Sequence, residues 1–429
     1  MKILLLTYGN ESSIEMVRSI SELNTHEVYG CHYDTTNAGQ AYLNKKYIVK
    51  CPNPFDVASQ FLKWLDKFVT DAKIDKVFVT NCKMLKFLYD NWDSIGCIHR
   101  LAIPNKENLA PCLFKNKLYE LLPNISPRVF KSHLDVPAVE DRPVGLAIEL
   151  FAKPCYSSSA EGARKLKNDV ASWQTVTSDD IVTEYLPGDE FTVDCVSTPN
   201  GEVVDWNVRL RARIRDGITS YGQSAPEYWE LIGEHIKSIA RELKLPYFWF
   251  AQFKFDLNGV PKLLEVNCRI SGSFCITKAS RKDYIKLALA DFADNIIVKG
   301  PTGGKHSIAR HMNVLPVFKK SWVWDIDGTI CTETGGNYHL CESFPEAIET
   351  LNMLYDRGDE IVLHTARGMK RFNNDVSIVY QNLYELTKKQ LATWGVRYDK
   401  LIMGKPYGTL IDSDAIRVSE LKLKLKETI

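Results

Sequence analysis

Two aspartates one residue apart, Asp325 and Asp327, follow the apolar run Trp322-Val323-Trp324 and precede Gly328-Thr329. A buried strand that ends in carboxylates carries a desolvation cost unless those groups bind something. A divalent cation with the phosphate it carries answers that need. Three further features follow in order: Thr365 in His364-Thr365-Ala366-Arg367, Lys405 in Gly404-Lys405-Pro406, and Asp412 before Ser413-Asp414. Each sits at the end of an expected strand, and in an open parallel sheet the carboxyl ends of the strands line one crevice. The chemistry that fits is phosphoryl transfer. Asp325 can attack phosphorus. Asp327 can protonate the leaving oxygen and then activate water. Thr365 and Lys405 can hold phosphate oxygens. Asp325, Asp327 and Asp412 offer hard oxygen ligands to Mg²⁺; Asp414 is the alternative to Asp412.

A second set lies upstream. Glu265-Val266-Asn267-Cys268-Arg269 closes an expected hairpin. Glu265 and Asn267, two apart on a strand, share a face and can hold Mg²⁺. Gln252 on the partner strand completes that metal set, and Arg269 is placed for phosphate. Lys153 ends a strand, and Ser157-Ser158-Ser159 follow, with backbone N–H groups that can cover phosphates. Arg209, Arg211, Arg213 and Arg215 alternate along one run, which puts all four on one strand face. The functional reading gives Arg211 and Arg213 nucleotide phosphate and a substrate carboxylate, with Asp194 and Asp205 as partners. A charged strand edge and a nucleic-acid stripe compete with it.

The elements that must carry these residues change character along the chain. Strands Lys2–Thr7, His26–Tyr33 and Lys76–Thr80 alternate with helices Ser12–Leu23 and Phe55–Ala72, which argues for a parallel sheet over 1–110. From 111 to 318 a helix over Pro111–Leu122 gives way to strands Leu146–Lys153, Ile181–Tyr185 and Glu190–Val196. A helix over Glu227–Leu243 follows, then a hairpin turning at Asn258-Gly259. From 319 to 429 strand and helix alternate again, with strands Trp322–Ile326, Glu360–Thr365, Lys400–Met403 and Thr409–Asp412 and a helix over Phe344–Arg357. The fold class expected is α/β and α+β, multidomain.

Length and composition agree. A chain of 429 residues suggests two or three domains. Its net charge of +1 gives no pull toward nucleic acid or a membrane surface. The 11 cysteines are scattered without a Cys-x-x-Cys pair, which argues for a reducing, cytoplasmic setting and against a disulfide framework or structural zinc. No apolar run is long enough to cross a bilayer.

The C-terminal motifs resemble the haloacid dehalogenase-like (HAD) phosphatases. The run from Leu391 to Tyr398 followed by Gly404-Lys405-Pro406 is similar to small phosphatases found with capsule and lipopolysaccharide genes. The spacer from Thr329 to Glu360 leaves little room for a cap, so the resemblance implies a Rossmannoid domain without a large one. Residues 1–316 resemble the ATP-grasp superfamily, although Cys268 replaces the usual proline in Glu-x-Asn-Pro-Arg. That resemblance implies a Rossmann-like first domain and a two-lobed ATP clamp. It implies Lys117, Lys153, Ser158 and Ser159 on the ATP phosphates, with Glu184, Tyr185 and Leu186 at adenine and Glu190 at ribose. It also implies acyl-phosphate formation from a carboxylate, then amide formation with an amine.

The joint reading is a bifunctional enzyme with ATP and Mg²⁺ as cofactors and one Mg²⁺ site in each catalytic domain. Its partners would be a small carboxylate, an amine and a phosphorylated small molecule. It assigns no membrane partner and leaves room for a homodimer. Two alternatives compete: a polynucleotide end-repair enzyme, and a phosphatase carrying a non-catalytic nucleotide-binding module.

Overall fold

The computed structural model describes the chain except residues 35–36, 138–148, 158–160, 216–217, 293–296, 298, 302–306, 310–319, 408–415 and 422–429. It divides into two compact units, Met1–Thr35 with Ile48–Asn313, and Thr36–Tyr47 with Val314–Ile429. The first unit spans most of the residues expected to form the first two domains.

The first unit opens with a parallel sheet of β1 (Lys2–Leu6), β2 (Glu27–His32), β3 (Ile48–Lys50) and β4 (Lys76–Val79), in the order β3-β2-β1-β4. Leu4, Leu6, Val77 and Val79 bury themselves in the core. Helices α1 (Glu11–Ser21) and α2 (Ala58–Asp71) lie between strands, and α3 (Cys82–Asp90) follows β4. Asn10 and Asn81 cap α1 and α3, each accepting a hydrogen bond from the backbone N–H three residues on, which satisfies donors the helix leaves open. The expected helix over 111–122 is two helices, α4 (Lys106–Leu113) and α5 (Lys115–Leu121), broken at Phe114 in an extended conformation.

The next sheet runs β5-β8-β6-β7, from β5 (Val129–Phe130), β6 (Leu150–Pro154), β7 (Arg164–Leu166) and β8 (Asp180–Glu184). A four-residue helix, α6 (Val170–Trp173), precedes β8. The largest sheet, in the order β13-β12-β9-β10-β11-β14, holds β9 (Glu190–Ser197), β10 (Val203–Arg215), β11 (Ile218–Ser224), β12 (Tyr247–Phe255), β13 (Pro261–Asn267) and β14 (Ser307–Ala309). Helix α7 (Trp229–Leu243) packs on β10 through Ile232, Ile236, Ile239 and Leu243, an apolar stripe at helical spacing. Short helices α8 (Cys275–Ala279) and α9 (Tyr284–Leu289) follow β13. The turn expected at Asn258-Gly259 is a longer loop, because Asp256 Oδ1 accepts from the N–H groups of Asn258 and Val260 at 2.9 Å each.

The second unit contains a parallel sheet of β15 (Ser321–Trp324), β16 (Glu360–Thr365) and β17 (Lys400–Met403), with β16 between the other two. The strand runs Ser321–Trp324 rather than Trp322–Ile326, and Val323 is 68 % exposed, so the run is not buried throughout. Helices α10 (Pro345–Asp356) and α11 (Val376–Thr393) complete the strand–helix alternation, with Ile348, Leu351, Leu363 and Leu391 in one core. Lys45, from the early segment of this unit, pairs with Asp399 at 3.1 Å and donates to the Asp359 carbonyl at 2.8 Å. The expected strand Thr409–Asp412 lies outside the described residues. Among the described residues no helix is long and apolar enough to cross a membrane.

Candidate active sites

In the first unit β12 and β13 pair Gln252 directly with Glu265, so both side chains project from one level of the largest sheet. They lie where two cavities adjoin, one of about 440 Å³ and one of about 240 Å³. Lys115, Ser157 and Arg211 also line both. The larger cavity has apolar walls from Phe151, Tyr185, Leu186, Ile214 and Leu264, and polar groups from Lys153, Glu184, Glu190 and Lys254. The smaller mixes apolar walls from Leu113, Leu118 and Phe250 with polar groups: Asn10 and Ser12 at the start of α1, Asn81 and Cys82 at the start of α3, Asn267 at the end of β13, and Arg269, Ser271 and Ser273 just after it.

Charges at the junction are paired across strands. Arg211 donates to Glu190, to Gln252 Oε1 at 2.9 Å and to Thr219 Oγ1 at 3.0 Å. Asn267 Nδ2 donates to Glu265 Oε1 at 3.0 Å. Lys153 is buried and donates to the Tyr119 hydroxyl at 2.7 Å. Burial, and then the nearby Lys115 ammonium, push its pKa down to about 7. Gln252 and Glu265, paired across the strands, and Asn267, two residues further along β13 opposite Phe250, supply oxygen donors whose hardness suits Mg²⁺.

Several expected residues fall elsewhere. Lys117 is exposed and lines a separate surface hollow with Tyr89 and Lys106, while Lys115 reaches the junction and donates to Ser157 Oγ at 3.2 Å. The break at Phe114 sets which lysine turns inward. The four-arginine face is not one face: a register shift between Leu210 and Arg213 interrupts the alternation. Arg209 is fully buried on Asp194 at 2.7 Å and on the Ser271 and Ser273 hydroxyls at 3.0 and 2.9 Å. Arg213 is exposed over the Tyr221 ring and lines neither cavity. Asp205 pairs with Lys282 at 2.5 Å rather than with an arginine. Ser158 and Ser159 lie outside the described residues.

In the second unit the parallel strands deliver their carboxyl ends to one place. Lys405 Nζ meets Asp325 Oδ2 at 2.5 Å, and Lys405 N–H donates to the Thr365 carbonyl at 3.0 Å. The turn after Asp327 places Gly328 at φ +77°, a conformation that disfavours side chains. Arg367 is the residue that sequence reasoning passed over, although its motif was in view. Its guanidinium is fully buried and donates to both Asp327 oxygens at 2.9–3.1 Å, to Gln390 Oε1 at 2.8 Å and to Thr387 Oγ1 at 3.3 Å. Asp327, Cys331 and Cys341 bring ligand atoms within 4.8 Å of one another. The cation among them is Arg367 Nη2, at 2.9, 3.4 and 3.6 Å. The Asp327 side chain is therefore paired with that guanidinium while staying 22 % exposed, and of the expected metal set Asp325 has the carboxylate facing Lys405. Asp412 lies outside the described residues.

A family model described as "ATP-grasp in the biosynthetic pathway with Ter operon" matches residues 177–313. Over this stretch the chain is similar to ATP-grasp domains. Solved structures share the fold over a longer span. Biotin carboxylase from Campylobacter jejuni, solved with a β,γ-ATP ligand, is 14% identical, covering 72% of this chain and 75% of its own with a TM-score of 0.56. The biotin carboxylase domain of Hydrogenobacter thermophilus 2-oxoglutarate carboxylase, solved with MgADP and bicarbonate, is 13% identical, covering 72% and 74% with a TM-score of 0.54. L-amino acid ligase from Bacillus licheniformis is 16% identical, covering 70% and 78% with a TM-score of 0.51. No curated protein sequence matches the chain.

Proposed function

We propose that the first unit is an ATP-dependent ligase that joins a carboxylate to an amine, and that residues 319–429 form a HAD-like phosphatase acting on a phosphate ester of the substrate or product. The observation that carries the ligase reading is the pair of cavities meeting at Lys115, Arg211, Gln252 and Glu265. One has the apolar walls of a nucleoside site. The other is smaller and carries Asn267, Arg269, Ser271 and Ser273, groups suited to an anionic acceptor, and the shared residues lie where a γ-phosphate would pass between them.

In this reading Tyr185 and Leu186 hold the adenine with Phe151 and Ile214, and Glu190 holds the ribose. Lys153 and Lys115 hold phosphates. Glu265, Asn267 and Gln252 would hold Mg²⁺, which neutralises phosphate charge when bound. The acceptor carboxylate attacks the γ-phosphorus, the bond to ADP breaks, and an acyl-phosphate forms. Arg269 and Arg211 face that new anion. The amine then attacks the acyl carbon, phosphate leaves, and an amide results. In the second unit Asp325 attacks the ester phosphorus and Asp327 protonates the leaving oxygen, then takes a proton from water to free the aspartyl-phosphate. Lys405 and Thr365 hold the phosphoryl oxygens, and Arg367 fixes the Asp327 carboxylate. Asp325 and Asp412 would hold Mg²⁺ there.

The test is an ADP-release screen over carboxylate and amine pairs, read by mass spectrometry. The expected result is ADP formation that needs both partners, with a new amide in the same reaction. ADP release that ignores both would contradict the ligase reading.

A further inference from the structure

Cys82 has no duty in the chemistry above, yet its thiol lines the smaller cavity. It is the first residue of α3, held there by the Asn81 cap. Arg269 Nε and Nη2 both donate to Cys82 Sγ, each at 3.2 Å. The thiol in turn donates to Asn267 Oδ1 at 3.0 Å. Arg269 Nη1 is used separately, on the Ile270 carbonyl at 2.9 Å.

Nε and Nη2 form an edge of the guanidinium whose two parallel N–H groups match the two oxygens of a carboxylate. A thiol sulfur is a weak acceptor that offers one atom where a carboxylate offers two. An edge built for strong bidentate bonding is thus held by a weak, single partner, inside a cavity that also presents Asn10, Asn81, Ser271 and Ser273. Exchange of the sulfur for a carboxylate gains two charge-assisted hydrogen bonds and leaves no buried acceptor stranded, because a thiol is cheaply left unbonded.

We propose that Cys82 is a specificity-determining residue of this cavity: its thiol holds the two-donor edge of Arg269 and yields it to the carboxylate of a small anionic acceptor. Naming the ligand an acceptor rests on the ligase reading. The docking of a carboxylate beside Cys82 rests on the Cys82–Arg269–Asn267 geometry alone. The cavity of about 240 Å³ has room for a ligand of roughly the size of an amino acid or small sugar acid.

The full chain tests this through two alkylating agents that deliver the same carbon. In each, sulfur attacks the CH₂ group, a C–S bond forms, iodide leaves and the thiol proton passes to solvent. Iodoacetamide is neutral, whereas iodoacetate carries the carboxylate that the Arg269 edge would gather. Labelling of the Cys82 peptide, followed by mass spectrometry, should be roughly tenfold faster with iodoacetate than with iodoacetamide, the factor of one charge-assisted bond. The partly buried Cys155 and Cys275 should show no such preference. Faster labelling of Cys82 by iodoacetamide overturns the proposal. A second arm uses Cys82→Asp, which fills the edge with the chain's own carboxylate. Acceptor KM should rise about tenfold or more with ATP KM unchanged, and Cys82→Ser should fall between. An unchanged acceptor KM in Cys82→Asp also overturns it. Absence of ADP release with every carboxylate and amine pair would remove the ligase reading and leave the labelling ratio to decide the docking claim.

Discussion

Lys153 of the first unit and Lys405 of the second are kept in opposite ways. In the first, Lys153 is buried against a neutral hydroxyl, Tyr119, and its charge is disfavoured until an anion arrives. In the second, Lys405 already sits on the Asp325 carboxylate and Arg367 on Asp327. The contrast follows from what each site is proposed to receive. A cavity that takes a polyanion can hold a lysine with no carboxylate bonded to it, and the ligand restores the charge. A site whose own nucleophile is a carboxylate must balance that charge between turnovers, so its cations come already paired. The same chain thus shows a cation stored in its less charged form beside cations stored as ion pairs.

Breaking the second arrangement should have the larger effect on folding. Arg367→Ala removes a buried guanidinium and leaves Asp327 without its cation. Loss of a buried pair's partner costs about 3–5 kcal/mol, and the 22 % exposure of the Asp327 side chain favours the lower end of that range. Thermal unfolding of the full chain should show the second unit melting earlier, with phosphatase activity lost. An unchanged melting profile would mean that Arg367 is not what balances Asp327.

Lys153→Met should do the reverse. It replaces a desolvated ammonium with an apolar chain of similar length, so stability should hold or rise slightly. Nucleotide affinity should fall about ten- to a hundredfold by equilibrium titration, the worth of one or two charge-assisted phosphate bonds. Equal affinity in the variant would place Lys153 away from the phosphates.

A smaller and graded effect comes from pH. The folded pKa of Lys153 is lowered to about 7, so in the free protein its charge is present below that pH and lost above it. A polyphosphate favours the charged form and raises the pKa on binding. ATP affinity should therefore weaken as pH rises from 7 to 9, with proton uptake measurable by calorimetry in two buffers. Lys153→Met should flatten that dependence. Affinity that strengthens with pH would contradict the assignment.

Much of this layout is legible in the sequence. The runs Glu360–Thr365 and Lys400–Met403 are short, apolar and bounded by turn residues, and they form strands with those limits. Their parallel pairing brings Asp325, Thr365 and Lys405 to one edge, as strand order alone requires. Other features depend on geometry that local pattern does not encode. Lys115 and Lys117 both fit a helix, and the backbone break at Phe114 selects between them. Period-two spacing gives one face to the arginines of β10, but it is blind to the register shift after Leu210. Arg367 looks like an ordinary surface arginine in sequence, since its burial depends on Thr387 and Gln390 from a helix 20 residues and more away. Residues Thr36–Tyr47 read as part of the first domain, yet they cluster with the second unit, which no local pattern signals.

The central claim is that one chain holds two separable chemistries, and crossing two substitutions measures it most directly. Glu265→Gln and Asp325→Asn change one atom each at the two sites. ADP formation with a carboxylate–amine pair and Mg²⁺-dependent hydrolysis of p-nitrophenyl phosphate are then followed in both variants. The expected result is a clean exchange: Glu265→Gln loses ADP formation and keeps hydrolysis, while Asp325→Asn loses hydrolysis and keeps ADP formation. Hydrolysis that survives in Asp325→Asn, or falls with Glu265→Gln, would contradict the account.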